Sequence, residues 1–210
     1  MTQTAEIDRF LRNEGFDTVE AAARARSVLE EAGLTRPGKR AMAVEKLQAA
    51  RTALAARLLK VCADGDCRRL AAAGKDARPP VPVAPAACTI CRGSNNRRAA
   101  LVLAAHLRAK GIRRLLIVGG TPTLHAELDQ LLASQGVQLR YVDGSVGSHS
   151  ARDAAPNLQW AQVMVVWGAS PLPHKVSQLY TTAPPAHVRV VKLARRGIEA
   201  MCREVLRSLA

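Results

Sequence analysis

Aromatic side chains are nearly missing from this chain: two Trp, two Tyr and two Phe stand among 210 residues. Proteins that grip single-stranded nucleic acid usually stack bases on aromatic platforms, and that route has little to work with here. Acids are short as well, 17 Asp and Glu against 31 Lys and Arg, which leaves a formal charge of +14. No apolar run approaches the roughly 18 residues that would suggest a membrane span. The N-terminus lacks the basic, then apolar, then small-residue succession of a secretory signal and opens on polar residues with Glu6 and Asp8. The expected location is the cytoplasm, with no membrane partner. Neither a GxGxxG nor a P-loop occurs. No Ser–His, Cys–His or paired-carboxylate arrangement is identified by spacing, so no catalytic residue is assigned.

What is present begins with cysteine. Cys62 and Cys67 bracket four residues (CADGDC), and Cys88 and Cys91 bracket two (CTIC). In a reducing compartment clustered cysteines are more often metal ligands than disulfides. Two close pairs can present four thiolates tetrahedrally to one Zn²⁺, and four sulfur ligands leave no position open for water. A structural zinc is therefore expected at Cys62, Cys67, Cys88 and Cys91, joining the helical half to the C-terminal half. Gly65 lets the first pair fold back, and Arg68, Arg69 and Arg92 offset the thiolate charge. Cys202 lies in the last helix and reads as core.

Three regions emerge from the patterning. Residues 1–60 read as helical. Ile7, Phe10 and Leu11 sit at helical spacing, Asp17 or Thr18 can cap a second helix that turns Val19, Ala22, Val28 and Leu29 inward, and Gly33 ends it. After a turn at residues 35–38, Val44, Leu47, Leu54, Leu58 and Val61 recur at the spacing of a third helix. Three short helices permit a helix-turn-helix, a helical cap or a dimerisation bundle. Residues 61–95 form the four-cysteine module, with a proline-rich stretch at 71–87 that suits an exposed, extended loop. Residues 96–210 complete the chain: after a helix that runs from about residue 95 to Lys110, strands and helices alternate. Leu115–Val118, Val137–Val142, Val163–Trp167 and Val188–Leu193 are apolar runs, the first three stopped by Gly119-Gly120, Asp143-Gly144 and Gly168, with helices expected at Thr123–Gln135, from His174 to Tyr180 and at Gly197–Leu209. Strands apolar on both faces, alternating with helices, predict a parallel sheet covered on both sides. The expected fold class is α/β: a small doubly wound, Rossmann-like sheet of about four strands, preceded by an α-helical region with a four-cysteine zinc site.

In such sheets ligands gather at the carboxyl ends of the strands. That singles out Gly119, Gly120 and Thr121 for an anion at a helix N-terminus, with Asp143, Ser170, His174 and Lys175 around the same cleft. His125 can face this cleft or solvent, and Trp160 and Trp167 read as packing residues. The charge excess is densest around the cysteines: residues 61–112 carry nine cations against Asp64, Asp66 and Asp76. Arg68, Arg69, Arg92, Arg97 and Arg98 are thus the expected contacts to a polyanion, DNA rather than RNA, through phosphates alone.

The C-terminal half resembles an uncharacterised bacterial family of small Rossmann-like domains of unknown function. The residues that carry the resemblance are Gly119-Gly120, Asp143-Gly144, Trp160-Ala161-Gln162-Val163 and His174, within residues 113–210. The chain departs from the family's pattern at Pro173, where Ser is usual, and at Lys175, where a small polar or acidic residue is usual. The resemblance implies a fold and carries no reaction with it. The sequence supports three readings. The first is a zinc-containing, nucleic-acid-associated binding protein, such as a regulator or accessory factor of a bacterial mobile element or defence system. The second is an enzyme acting on a phosphorylated or nucleotide substrate. The third is an oligomerisation or scaffold protein whose N-terminal helices pair two subunits.

Overall fold

A computed structural model describes residues 3–143, 150–168 and 172–210. The chain divides into two compact units, Met1–Ser94 and Asn95–Ala210. In the first unit, β1 (Thr4–Glu6) pairs antiparallel with β2 (Ala41–Ala43), flanking α1 (Ile7–Asn13) and α2 (Val19–Glu31) in the chain. Then come α3 (Leu47–Arg57), β3 (Leu59–Val61), α4 (Gly65–Ala73) and β4 (Pro80–Pro82), with β3 and β4 parallel. Ile7, Phe10, Leu11, Phe16, Ala25 and Leu29 share one core with Leu54 and Val81. Thr18 caps α2 by accepting from the Ala21 amide at 3.1 Å, a contact whose removal costs about 1 kcal/mol. Gly15 stands at φ +92°, and a Cβ there would lie 2.3 Å from the Ala87 Cβ. The turn after α1 is therefore pressed against the stretch that leads into Cys88.

Several sequence expectations for this unit are corrected. A helix-turn-helix needs a turn of three or four residues, whereas residues 32–46 separate α2 from α3 and include β2. The third helix stops at Arg57, and Leu59-Lys60-Val61 is a strand. Val19 and Val44 are exposed. The stretch 71–87 is not simply an exposed loop: α4 runs to Ala73, and Val81 and Val83 are buried. Proline explains the exception, because it fixes an extended φ while lacking an N–H. The bonds from Leu59 N to Pro79 O and from Val83 N to Val61 O set the alternation: odd residues of β4 bond to β3, and Pro80 and Pro82 turn their backbone outward.

The second unit opens with α5 (Asn95–Ala109) and continues β5 (Arg114–Gly119), α6 (Pro122–Leu132), β6 (Gln138–Val142), α7 (Ala151–Trp160), β7 (Val163–Trp167), α8 (His174–Thr181), β8 (Arg189–Leu193) and α9 (Ile198–Leu209). The four strands form one parallel sheet in the order β6-β5-β7-β8. Alternate residues of the strands serve two cores. Leu115, Ile117, Val165 and Trp167 pack with Leu103, Leu107, Leu128, Met201 and Cys202 of α5, α6 and α9. Leu116, Val118, Met164 and Val166 pack with Leu158, Val176 and Tyr180 of α7 and α8. Each fully buried aliphatic side chain contributes about 1.5–3 kcal/mol, so burial on both faces is what makes these runs strands in the middle of a sheet. Helix α7 is absent from the sequence expectations, because it is polar and holds Pro156. It starts at a capping box, with the Ser150 hydroxyl accepting from the Asp153 amide and Asp153 accepting from the Ser150 amide. Among the described residues, no helix is long and apolar enough to cross a membrane.

Candidate metal centre

The four expected ligands meet. β3 leads directly into Cys62, the first turn of α4 carries Cys67, and the turn Cys88-Thr89-Ile90-Cys91 lies beside β3, with the Thr89 amide donating to Lys60 O at 2.9 Å. All four sulfurs fall within 4.8 Å of one another, and all four residues are buried. The Sγ atoms of Cys62 and Cys91 are 3.9 Å apart, and none of the cysteines is in a disulfide. Metal–sulfur bonds of ~2.3 Å in a tetrahedron require sulfurs roughly 3.8 Å apart. The cluster fits a metal ion, and a disulfide would need sulfurs at about 2.05 Å.

Local bonding explains how each pair is held. Asp64 caps α4 by accepting from the Asp66 amide at 2.9 Å, so the first pair folds back through this cap, with Gly65 as the first helical residue. In the second pair the Arg92 amide donates to Cys88 O and the Ser94 amide to Cys91 O, both at 2.9 Å. The chain then leaves through left-handed residues Arg92 (φ 51°) and Gly93 (φ 76°). Burial pushes the Cys62 and Cys67 thiols up. Burial acts in the same direction on Cys88, but the amides of Cys91, Cys62 and Ile90, helped by the Cys62 thiol, outweigh it and bring that thiol down to about 7. One thiolate is thus favoured by the chain itself. Holding all four as anions takes a cation. The centre ties together segments of one unit, Met1–Ser94, because all four ligands lie inside it. The expectation that it joins two halves of the chain is corrected accordingly.

The basic residues divide between the units. Arg68 and Arg92 are exposed, while Arg69 reaches the buried Asp66 carboxylate. Arg97 and Arg98 belong to α5 of the second unit and are half-buried, with Arg98 donating to Asn95 Oδ1 at 2.8 Å.

In the second unit, Gly119 and Gly120 both stand at φ +91° at the end of β5. The space a Gly120 Cβ would take is filled by His125, whose Nε2 would lie 2.8 Å from it. That nitrogen is 2.9 Å from Gly119 O, and the ring stacks on Tyr141 with centroids 4.2 Å apart. Tyr141 in turn donates to His125 O and to Asp129 Oδ1. At the start of α6, Pro122 has no N–H, the Leu124 amide is taken by the Thr121 hydroxyl at 3.4 Å, and the His125 amide bonds Thr121 O. Among the described residues, Thr123 alone keeps an amide without a partner in that first turn. Asp143 is half-buried just after β6. His174 and Lys175 are both exposed at the start of α8. His174 lines a cleft of about 530 Å³ with Ser177, Thr181 and Lys192, and its Nε2 is 3.0 Å from Gln178 Nε2. Lys175 and Asp143 are not in that lining. Ser170 and Gly144 lie outside the described residues. Lys192 escaped sequence reasoning because a lone lysine in a strand carries no motif. Trp167 is a packing residue with its Nε1 donating to Arg195 O at 3.1 Å.

No protein-family model matches the chain, and neither curated proteins nor solved structures give a match.

Proposed function

We propose that this is a zinc-stabilised protein that binds nucleic acid through phosphate contacts, its second unit being a small doubly wound, Rossmann-like domain. Zinc is favoured by the donor set: four thiolates at tetrahedral spacing suit Zn²⁺ or an iron–sulfur site, and buried ligands with no open position suit a structural ion. Cys62, Cys67, Cys88 and Cys91 would hold it; the bound ion supplies cross-linking and no Lewis-acid chemistry. The wound topology is supported by the strand order, in which the unit's second strand lies outside its first and the third and fourth lie in succession on the other side, with helices over both faces.

One observation carries the nucleic-acid reading. A cleft of about 730 Å³ at the end of β8 and along α9 is lined by Lys192, Arg195, Arg196, Arg203 and Arg207, against only Glu199 and Glu204. Those two acids pair with Arg203 and Arg207, while Lys192, Arg195 and Arg196 are exposed. Five cations on one concave surface of a chain with charge +14 favour a polyanion. The zinc-bearing unit adds Arg68 and Arg92. Duplex DNA labelled for fluorescence anisotropy tests this, with duplex RNA as the comparison. Affinity is expected to fall steeply with salt, and replacing Arg195 and Arg196 with Ala should reduce the log–log slope by about 2, close to one unit per phosphate contact. No binding at ~50 mM salt overturns the reading.

The His174 cleft favours a second reading, an enzyme acting on a phosphorylated or nucleotide substrate, since an imidazole and the Lys192 ammonium line one space. His174→Ala, an exposed change expected to alter stability by less than about 0.5 kcal/mol, separates the two. It abolishes turnover under the second reading and leaves DNA affinity unchanged under the first.

A further inference from the structure

The first unit holds a cavity of about 580 Å³ between α4 and the β3–β4 ribbon, a volume within the roughly 300–1,000 Å³ that small-molecule sites occupy. We propose that this cavity binds a small apolar carboxylate, with the anion at Arg68 and the apolar body between the helix and the strands. The space has a cause in the sequence. Register places Leu59 opposite Pro80 and Val61 opposite Pro82, so these four side chains line one face of the ribbon. Over that face α4 presents Ala71 and Ala72. Ala71 packs against the cluster that includes Leu59 and Val61, but an alanine fills little of the space, where a protein interior packed to ordinary density would carry leucine or isoleucine. The space is open to solvent, so its apolar lining faces water. An occupant with an apolar body buries that lining, at roughly 25 cal/mol per Å².

The backbone argues against a peptide as the occupant. A strand added to the ribbon needs donors along the free edge of β4. That edge is formed by Pro80 and Pro82, which have no N–H, and Pro80 O already accepts from Arg24 at 3.3 Å. The edge is closed to strand addition by the device that natural sheets use against aggregation. The rim then sets the charge of the ligand. Two arginines line the cavity, Arg68 and Arg78. Arg78 is committed: its Nε donates to Asp76 at 2.8 Å, and its other nitrogens reach Asp76 and Ala55 O. Arg68 is exposed, and its guanidinium makes no hydrogen bond or ion pair among the described residues. One uncommitted guanidinium at the mouth of an apolar space matches one carboxylate on an apolar body. Cys62 lines the same cavity, so the occupant sits against one ligand of the metal centre.

The test uses the full chain purified with its metal, decanoate as the probe and isothermal titration calorimetry as the readout. A single saturable site is expected, with decanol binding more weakly than decanoate. Arg68→Gln, at an exposed position, should weaken decanoate about tenfold and leave decanol unchanged. Ala72→Leu, also exposed, should fill the space and weaken both probes at least tenfold, with circular dichroism and metal content as in the parent chain. No saturable binding up to about 1 mM decanoate overturns the proposal, as does equal decanoate affinity in the Ala72→Leu chain. Arg68 is shared with the proposed phosphate contacts, so the two readings are separated on the Ala72→Leu chain, which leaves Arg68, Arg92 and the Arg195 and Arg196 cleft in place and should lose decanoate while keeping DNA.

Discussion

Removing the metal should unfold the first unit and leave the second standing. The magnitudes come from the size of the unit and the nature of the site. Met1–Ser94, at roughly 0.05–0.15 kcal/mol per residue, has a total stability of about 5–14 kcal/mol. A four-thiolate structural zinc contributes about 10–16 kcal/mol of apparent binding free energy near neutral pH. A zinc ion at this site would be worth as much as the unit it closes. Without it, Cys62, Cys67, Cys88 and Cys91 become four buried thiols with no ion to draw them together. The chain offers a convenient pair of reporters. Trp160 and Trp167 both lie in the second unit, so tryptophan fluorescence tracks that unit alone. About two fifths of the α-helical residues lie in α1–α4, so far-ultraviolet circular dichroism tracks both units. A chelator, or Cys88→Ser, should remove one equivalent of metal, cut the helical signal by about that share and leave the tryptophan emission and its melting midpoint in place. A chain stripped of metal that keeps its full helical signal and its melting curve would refute the reasoning. So would a purified chain with no stoichiometric metal.

Two further outcomes rest on single contacts. Gly120→Ala should destabilise the second unit by about 1–3 kcal/mol, because φ +91° disfavours a side chain and the new Cβ meets His125 Nε2 at 2.8 Å. Adding His125→Ala should recover part of that loss in urea melts, and no recovery would show that the imidazole does not fill the space. Cys202 is pushed up to about 12 by burial, with Glu199 adding to it and Arg203 opposing it. The folded thiol thus keeps its proton where the unfolded thiol loses it. Its contribution to stability is complete below the unfolded value near 9.0 and is lost as pH rises toward about 12. Urea midpoints of the second unit should therefore decline above pH ~9, less so in Cys202→Ala. An equal decline in both chains would contradict this assignment.

How much of this could be read in advance depended on how local each signal is. The cysteine pairs were legible because each closes within one turn, and β5 and β7 because central strands buried on both faces are apolar throughout; β6 and β8, at the edges, keep enough apolar residues to be read as strands. Leu59-Lys60-Val61 and Pro80-Val81-Pro82 were not. Each is three residues long, and neither is a strand except against the other. The same holds for β1 and β2, whose register depends on residues nearly forty positions apart. Helix α7 had a readable start in Ser150-x-x-Asp153, masked by a polar composition and Pro156. The Gly119-Gly120-Thr121 segment shows a different limit. Glycines before a helix suggest an anion site, but what fills the space over Gly120 is the side chain of His125, five residues on. Glycine made room for the protein itself, a distinction that spacing does not encode.

The position of the four-cysteine cluster reflects what each unit has to bury. The second unit sandwiches its sheet between two helical layers, and its central strands β5 and β7 are buried on both faces, so it closes by packing. The cluster around the sulfurs in the first unit is small: Leu59, Val61 and Val83 with the four cysteines, and Ala71, Ala87 and Ile90 at its margin. Alanine where a larger residue would fill space, and a ribbon of two three-residue strands, give too little apolar burial to hold such a module by itself. A metal held by the four thiolates would supply that cohesion from a few residues. The same shortage of bulk leaves the cavity under α4, so the metal centre and the proposed carboxylate site share one cause. Enlarging Ala71 and Ala72 together should then raise the stability of the metal-free unit while closing the cavity, a trade that calorimetry and chelation on the same variant can measure.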